Sequence, residues 1–485
     1  MTRHVRVAII GTGFAGIGMA CQLVLHGIDD FLLVERANEV GGTWRDNTYP
    51  GAACDIRSDL YSFSFAPNPD WEHSYGRQPE ILDYLRRVAT AYELYDRLLF
   101  GAKLERAEWV DDSAHWLITT SRETFTASVL VSGAGPLIDP VWPRIPGLDT
   151  FGGPAFHSAH WNHHIELAGK RVGVIGTGAS AIQFVPELQK TAAQVTVFQR
   201  SAPWIVPRAD HPTSAVRRQL FRRVPALQQA SRRLLFARAE SRFAGFRSRP
   251  VGAAFQAFAA RYLRSQVADP ELRAALTPDF RIGCKRILIS SEYYHALSEP
   301  NVELASSRIE RVEGDDVVTA DGTHRTFDIL IAATGFNATH PPVSSLIVGR
   351  YGESLADVWQ PHMSALRGTT VSDFPNLFLL LGPNTVLGHN SMVYIIESQI
   401  DYVMQALAGM SRLGATAIEP TPDAQASYNR TVQSTLRGSV WSTGGCTSYY
   451  VDDDGRNTII WPHRASAFRR AVHTFDPSEY DIVVS

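Results

Sequence analysis

The chain is poor in cysteine. Cys21, Cys54, Cys284 and Cys446 are scattered through 485 residues, and no two form a C-x-x-C pair. This spacing points to a reducing compartment, read here as the cytoplasm, and away from a disulfide framework or a zinc site. An excess of one charge is also missing. The 46 Lys and Arg nearly balance the 49 Asp and Glu, leaving a net charge of −3, so no general attraction to nucleic acid follows. Long apolar runs are absent too. The longest, such as Leu377–Leu381, are strand-sized, and no membrane span is expected. The first apolar run stops at Gly11, too short for a signal peptide and suited to a first strand. The length implies two or three domains of ordinary globular composition.

Two stretches of similar design stand out. Val7–Gly16 reads V-A-I-I-G-T-G-F-A-G, with Gly11, Gly13 and Gly16 after a buried-type strand. Residues 170–181 read K-R-V-G-V-I-G-T-G-A-S-A, with Gly176, Gly178 and Ser180 at the corresponding turn. Such a turn lets a helix N-terminus meet a pyrophosphate, because its first N–H groups have no intrahelical partner. Two of them suggest two dinucleotides that exchange electrons. Glu35 stands as far beyond Gly11 as Arg200 stands beyond Gly176. An acid there suits the ribose hydroxyls of FAD, and a guanidinium suits a 2′-phosphate. FAD is therefore assigned to the first unit and NADPH to the second.

Around these units the chain divides. Val40–Asp55 (V-G-G-T-W-R-D-N-T-Y-P-G-A-A-C-D, including Gly42, Thr43 and Trp44) can lie against a flat ring. Tyr61–Phe65 alternates and predicts a strand with one aromatic face in the core. Residues 79–97 predict a helix and 104–134 hairpin strands. Pro136, Pro140, Pro143 and Pro146 mark a linker. Between 208 and 264 lie thirteen arginines opposed only by Asp210 and Glu240, with apolar residues at helical spacing. The segment reads as a helical insertion with solvated charges, in preference to a basic amphipathic surface for anionic lipid or an acidic partner. Lys285 and Arg286 follow as adjacent cations. Phe327–Phe336 is a buried strand with a small-residue turn at Ala333, Thr334 and Gly335. It is expected to return the chain to the first domain. Asn376–Thr385, with Asn384, is another strand and turn, followed by a helix from Met392. The aromatics of Trp441–Tyr450 could wall a pocket, although core packing is the simpler expectation.

The fold class expected is α/β: two Rossmann-type domains, for FAD and NADPH, with a helical insertion in the NADPH domain. The boundaries are 1–145 for the first part of the FAD domain and 146–325 for the NADPH domain, with the insertion at about 208–280. The second part of the FAD domain is 326–485.

Phe151, Gly153, His157 and Trp161 match F-x-G-x-x-x-H-x-x-x-W. With Val40–Asp55, the Lys285–Arg286 pair, A-T-G-F and G-P-N-T, the chain resembles the type I Baeyer–Villiger monooxygenases over nearly its whole length. The likeness is to the branch containing 4-hydroxyacetophenone monooxygenase and its shorter relatives. One departure is Asn162, where the family usually has Pro or Asp. The resemblance implies an NADPH-dependent flavin monooxygenase that uses O2 to turn a ketone into an ester or lactone through a C4a-peroxyflavin. It implies that Asp55 is the active-site acid and Arg286 the catalytic arginine. It also implies that Lys285, Arg200 and Ser201 hold the 2′-phosphate, and that His157 serves domain motion and NADP positioning. A permanent cation beside a peroxide favours its anion and stabilises the oxyanion formed on the ketone, and Arg cannot donate its proton away.

The alternatives are an N- or S-oxygenase, which needs no Arg–Asp pair, and a flavin disulfide reductase, whose cysteine pair is lacking. A metal site in His157, His160, His163 and His164 is not expected, since their spacing fits no common zinc motif. The partner expected is a small ketone, with no nucleic acid and no membrane span.

Overall fold

The computed structural model describes residues 3–484. His4–Ile10 forms the middle of the first sheet, and Val7, Ala8 and Ile9 are fully buried. Its second half, Val7–Ile10, is uniformly apolar because both of its faces are covered, whereas His4 and Arg6 at its start are exposed. It pairs in parallel with Phe31–Val34 on one side and Thr124–Ser132 on the other. Beyond Phe31–Val34 lies Leu98–Leu99. Beyond Thr124–Ser132 lie His115–Thr120, Leu104–Val110 and Ile347–Val348 in turn, and Leu377–Leu379 also pairs with Thr124–Ser132. The helix Phe14–Leu25 follows the first glycine turn and packs against the long helix Met392–Leu413.

The second sheet is parallel throughout, in the order Val302–Ala305, Gln194–Phe198, Arg171–Ile175, Ile329–Ala332, Ala155–His157. This corrects one expectation. Ile329–Ala332, expected to return the chain to the first domain, lies inside the second sheet between Arg171–Ile175 and Ala155–His157. An unbroken apolar strand looks the same in either sheet, so its sequence does not say which it joins. The chain rejoins the first sheet later, where Ile347–Val348 pairs with Leu104–Val110. Two connecting strips run side by side between the sheets. Val141 N–H donates to Gly335 O at 2.9 Å, and Asn337 N–H donates to Asp139 O at 3.0 Å.

Tyr61–Phe65 is not a strand but a series of bends. Phe63 is buried and stacks on Phe65 at 4.8 Å, with Phe14 at 5.2 Å. The alternation reflects aromatic packing without a partner strand. The helix expected at 79–97 ends at Ala91, and a short 3-10 turn, Leu94–Arg97, completes the segment.

The insertion is helical, over Ala215–Arg223, Pro225–Arg242, Ala244–Arg247, Arg249–Gln266 and Pro270–Ala275. Its charges are not all solvated. Arg217 pairs with the buried Asp59 at 2.5 Å, while Arg222 meets Asp70 at 2.7 Å on the exposed surface. Arg232 Nη1 donates to Asp59 O at 2.8 Å and Ser62 O at 2.9 Å. The insertion is thus clamped to the first-sheet body through partners remote in the chain. The cysteine reading is also corrected. Cys284 and Cys446 form a disulfide across 162 residues, while Cys21 and Cys54 are free and buried. Cysteine spacing carries no sign of a bridge that long. Among the described residues, no helix is long and apolar enough to cross a membrane.

Candidate active site

Both glycine turns open into one cavity of about 2350 Å³ between the two sheets. At the first, Gly11 has φ +92°, a region that favours glycine, and a Cβ there would meet Gly133 O at 3.1 Å. A Cβ on Gly16 would lie 1.8 Å from Gly11 O, so only glycine lets the helix start this close to the strand. Gly16 therefore serves packing and does not line the cavity, whereas Gly11, Gly13 and Gly42 do. The approach of Gly13 and Gly42 is a backbone cradle: a Cβ on Gly42 would come within 3.0 Å of Gly13 Cα. Glu35, 4% exposed, lines the same end. Its carboxylate accepts from Thr12 N–H at 3.2 Å, Thr12 Oγ1–H at 2.6 Å and Ala37 N–H at 2.9 Å, and pairs with Arg45 at 3.0 Å. Thr43 and Trp44 sit on the short helix Thr43–Asp46, and Trp44 Nε1 donates to Tyr61 Oη at 3.0 Å.

At the second turn, Gly176 has φ +112°, and a Cβ would lie 2.5 Å from Ala333 O. Gly178 and Ser180 line the cavity just before the helix Ala181–Gln189. Arg200 is exposed on the cavity wall, beside Ser201. Lys285 Nζ donates to Ser201 Oγ at 2.8 Å. Burial, and next the Arg200 charge, push Lys285 below the ordinary lysine range. Two cations that repel each other at the rim of a glycine turn suit a multiply charged anion.

Asp55 and Arg286 meet between the turns. Arg286 Nε donates to Asp55 Oδ2 at 3.0 Å, and Nη2 donates to the same oxygen. The Asp55 charge holds the guanidinium far above its usual range against the cost of burial. The side chains remain 39% and 26% exposed, respectively, toward the cavity. A latch that sequence reasoning missed puts Asp55 there. Gln183, on the helix of the second turn, accepts from Tyr49 Oη–H at 3.1 Å and donates to Ala53 O at 2.9 Å. A Cβ on Gly51 would lie 2.6 Å from Gln183 O.

The motif residues divide between wall and support. His157 lines the cavity, with Nδ1 accepting from Ala159 N–H at 3.1 Å. Its Nε2 is buried without a protein partner. Burial, then His160, lowers its pKa to about 4. Gly153 allows close approach, since a Cβ would lie 2.3 Å from Asp328 O. Phe151 packs beside Val312 and Val317. Trp161 lies 5.2 Å from Phe184, which also meets Tyr49 at 5.9 Å, so motif and latch share one helix. Asn162 Oδ1 accepts from His164 N–H at 3.0 Å, a turn that Asp could make equally well.

Asn384 does not belong to the cavity. It is 1% exposed, and its amide is spent on Asn457 O and Ile460 O at 2.9 and 3.0 Å. Thr334 and Gly335 line the cavity, although the Thr334 hydroxyl already donates to Val141 O. Of the late aromatics, Tyr449 and Tyr450 wall the cavity, whereas Trp441 stacks on Phe246 at 5.1 Å.

A protein of Streptomyces coelicolor named Baeyer-Villiger monooxygenase is 47% identical over 482 residues, 99% of this chain and 93% of the relative. The chain belongs to the Baeyer–Villiger monooxygenases. A second relative of that name, from Pseudomonas aeruginosa, is 45% identical over 486 residues, covering 100% of this chain and 92% of its own. A solved cyclohexanone monooxygenase from Rhodococcus sp. Phi1, bound to NADP+, superposes with a TM-score of 0.90 at 28% identity, each chain covered in full. An oxidized steroid monooxygenase bound to NADP gives 0.88 at 31% identity, over 99% of this chain and 100% of its own. The family model described as pyridine nucleotide-disulphide oxidoreductase matches residues 8–241. That segment contains both glycine turns of this Baeyer–Villiger monooxygenase but neither cysteine of its disulfide.

Proposed function

We propose that the cavity holds FAD at the first glycine turn and NADPH at the second, with Arg286, set by Asp55, as the cation at which a ketone is oxygenated. As a Baeyer–Villiger monooxygenase, the protein inserts one atom of O2 beside a ketone carbonyl at the expense of NADPH. Reduced FAD supplies the activation of O2. The chain's own residues supply the rest.

The cradle of Gly11, Gly13 and Gly42 suits close approach of a pyrophosphate, with Glu35 at the ribose end and Thr43 and Trp44 against the ring. Gly176, Gly178 and Ser180 suit the second pyrophosphate. Arg200, Lys285 and Ser201 would hold the 2′-phosphate, since two cations and a hydroxyl match its oxygens. His157, Thr334 and Gly335 would border the nicotinamide-side nucleotide.

Arg286 stays charged at every working pH because Asp55 opposes any loss of its proton. Asp55 engages Nε and Nη2, which leaves the Nη1 edge for substrate. From that edge Arg286 would donate to the ketone oxygen as negative charge builds there, so it binds the transition state more tightly than the ketone. The observation that carries the reading is the Arg286–Asp55 pair lying between two nucleotide cradles of opposite charge.

The two nucleotide regions are read as 1–145 with the chain after about 333, and 146 to about 332. A cytoplasmic location would supply NADPH. Of the Cys284–Cys446 bridge, Cys284 is 1% exposed and Cys446 half-buried. The experiment is a ketone panel with NADPH under labelled O2. One labelled oxygen in an ester or lactone is expected; an ester without label overturns the reading.

A further inference from the structure

The insertion holds thirteen arginines and two acids between residues 208 and 264, and one of those acids, Glu240, is buried. Its position is unfavourable on two counts. It lies in the last turn of the helix Pro225–Arg242, where the macrodipole disfavours an anion, and at 8% exposure it has lost most of its water. A carboxylate stays in such a place only if donors replace that water.

Five donors do. Oε1 accepts from His389 Nε2–H and Asn390 Nδ2–H, each at 3.1 Å, and from Ala465 N–H at 3.0 Å. Oε2 accepts from Ser466 Oγ–H at 2.7 Å and Ser466 N–H at 3.2 Å. The hydrogen bonds lower the Glu240 pKa to about 2 despite its burial. Three separate pieces of chain therefore meet on one side chain.

One of those pieces is a cavity wall. Leu387, Gly388, His389 and Asn390 line the cavity that holds Arg286. The insertion lines it next to Glu240 through Ser241 and Arg242. Phe243 lies 5.2 Å from the His389 ring, and a Cβ on Gly388 would come within 3.3 Å of Phe246. The wall segment is also fastened beyond its end, where Ser391 Oγ–H donates to Leu60 O at 3.0 Å. Its middle is held to the insertion by Glu240.

We propose that Glu240 is a positioning residue for the ketone. It joins the insertion and the segment 386–390 into one wall and thereby sets where a substrate sits relative to Arg286. It touches neither substrate nor nucleotide. The inference rests on the functional reading above, because a wall matters only if a ketone lies against it.

The test uses the full-length, FAD-loaded enzyme and an unsymmetrical ketone. Glu240→Gln keeps the shape, but whichever way the amide turns its N–H2 faces a backbone N–H, that of Ala465 or of Ser466, which can only donate. The ketone KM should rise by about tenfold, as expected for a misplaced substrate, and the ratio of the two ester isomers should shift. The NADPH KM and the anaerobic rate of flavin reduction should stay within about twofold, a split that general loosening would not give. Ser466→Ala removes one donor away from the cavity and should move the isomer ratio in the same direction, by less. Glu240→Asp, which keeps the carboxylate, should restore part of the ketone KM. A folded Glu240→Gln enzyme with unchanged ketone KM and isomer ratio overturns the inference. If that variant does not retain FAD, an unchanged isomer ratio in Ser466→Ala overturns it. A wild-type enzyme that oxidises NADPH but forms no ester refutes the functional reading, and this inference with it.

Discussion

Arg286 Nε lies 3.0 Å from Asp55 Oδ2 although 231 residues separate them in the chain. The two reach each other because Gln183 latches the loop before Asp55 onto the helix of the second glycine turn. An Arg286→Ala enzyme should still bind FAD and oxidise NADPH. It should release hydrogen peroxide instead of ester, with ester formation down by roughly 100- to 1000-fold, the usual effect of losing a donor to a developing oxyanion. Peroxide and ester titrated against NADPH consumed check this. Retained ester formation removes Arg286 from the chemistry.

Arg200 and Lys285 form a positive rim that distinguishes the second cradle from the first. Arg200→Ala should raise the KM for NADPH by about 10- to 100-fold, the worth of one charge-assisted phosphate contact, with little effect on NADH. Steady-state kinetics with both cofactors decide it. Equal effects on the two exclude a 2′-phosphate contact.

His157 makes stability depend on pH. Its pKa is about 4 when folded, against an ordinary 6.5. The unfolded chain therefore binds the extra proton between these values, and stability rises with pH across that window. Above pH 6.5 the penalty is absent. It grows as pH falls and is complete below about 4, where it amounts to about 3 kcal/mol. Denaturant unfolding of the wild type and His157→Gln should show the wild type's margin shrinking by that amount between pH 7 and 4. Parallel profiles for the two proteins contradict this.

Cys284 immediately precedes Lys285 and Arg286, and its bridge to Cys446 ties them to the loop carrying Tyr449 and Tyr450. Peptide mapping without reductant should recover the Cys284–Cys446 link. Replacing both by Ser should leave the NADPH KM unchanged and increase peroxide release, because the cavity wall beside Arg286 loosens. Unchanged coupling in the double variant would mean that Arg281 N–H donating to Gly444 O at 3.0 Å already suffices to hold the loop.

Both glycine turns were legible in the residues themselves. A positive φ at Gly11 or Gly176, or a Cβ overlap at Gly16, is imposed within a few positions and leaves glycine as its mark. The opposite charges of Glu35 and Arg200 were legible for a similar reason, since the strand–turn–helix–strand unit places its second strand end at a constant distance along the chain. His157 and Trp161 could be named from their motif, but not the shared Phe184 that joins Trp161 to Tyr49.

Other features depended on contacts that have no period. Asn384 stood in a promising turn, yet folding spends its amide on the backbone of Asn457 and Ile460. Ile329–Ala332 has the apolar run of any central strand, and only pairing with Arg171–Ile175 and Ala155–His157 decided its sheet. Arg232 and Glu240 sit in a helix whose composition suggests solvated charge, and their partners at Ser62 and Ser466 come from distant segments. The amino-acid order by itself determined where backbone geometry is demanding, and hence the two glycine turns and the opposite charges beyond them. The tertiary structure alone decided which remote side chains meet, because a buried charge or amide such as Glu240 or Asn384 is held only by partners that the folded chain brings within about 3 Å.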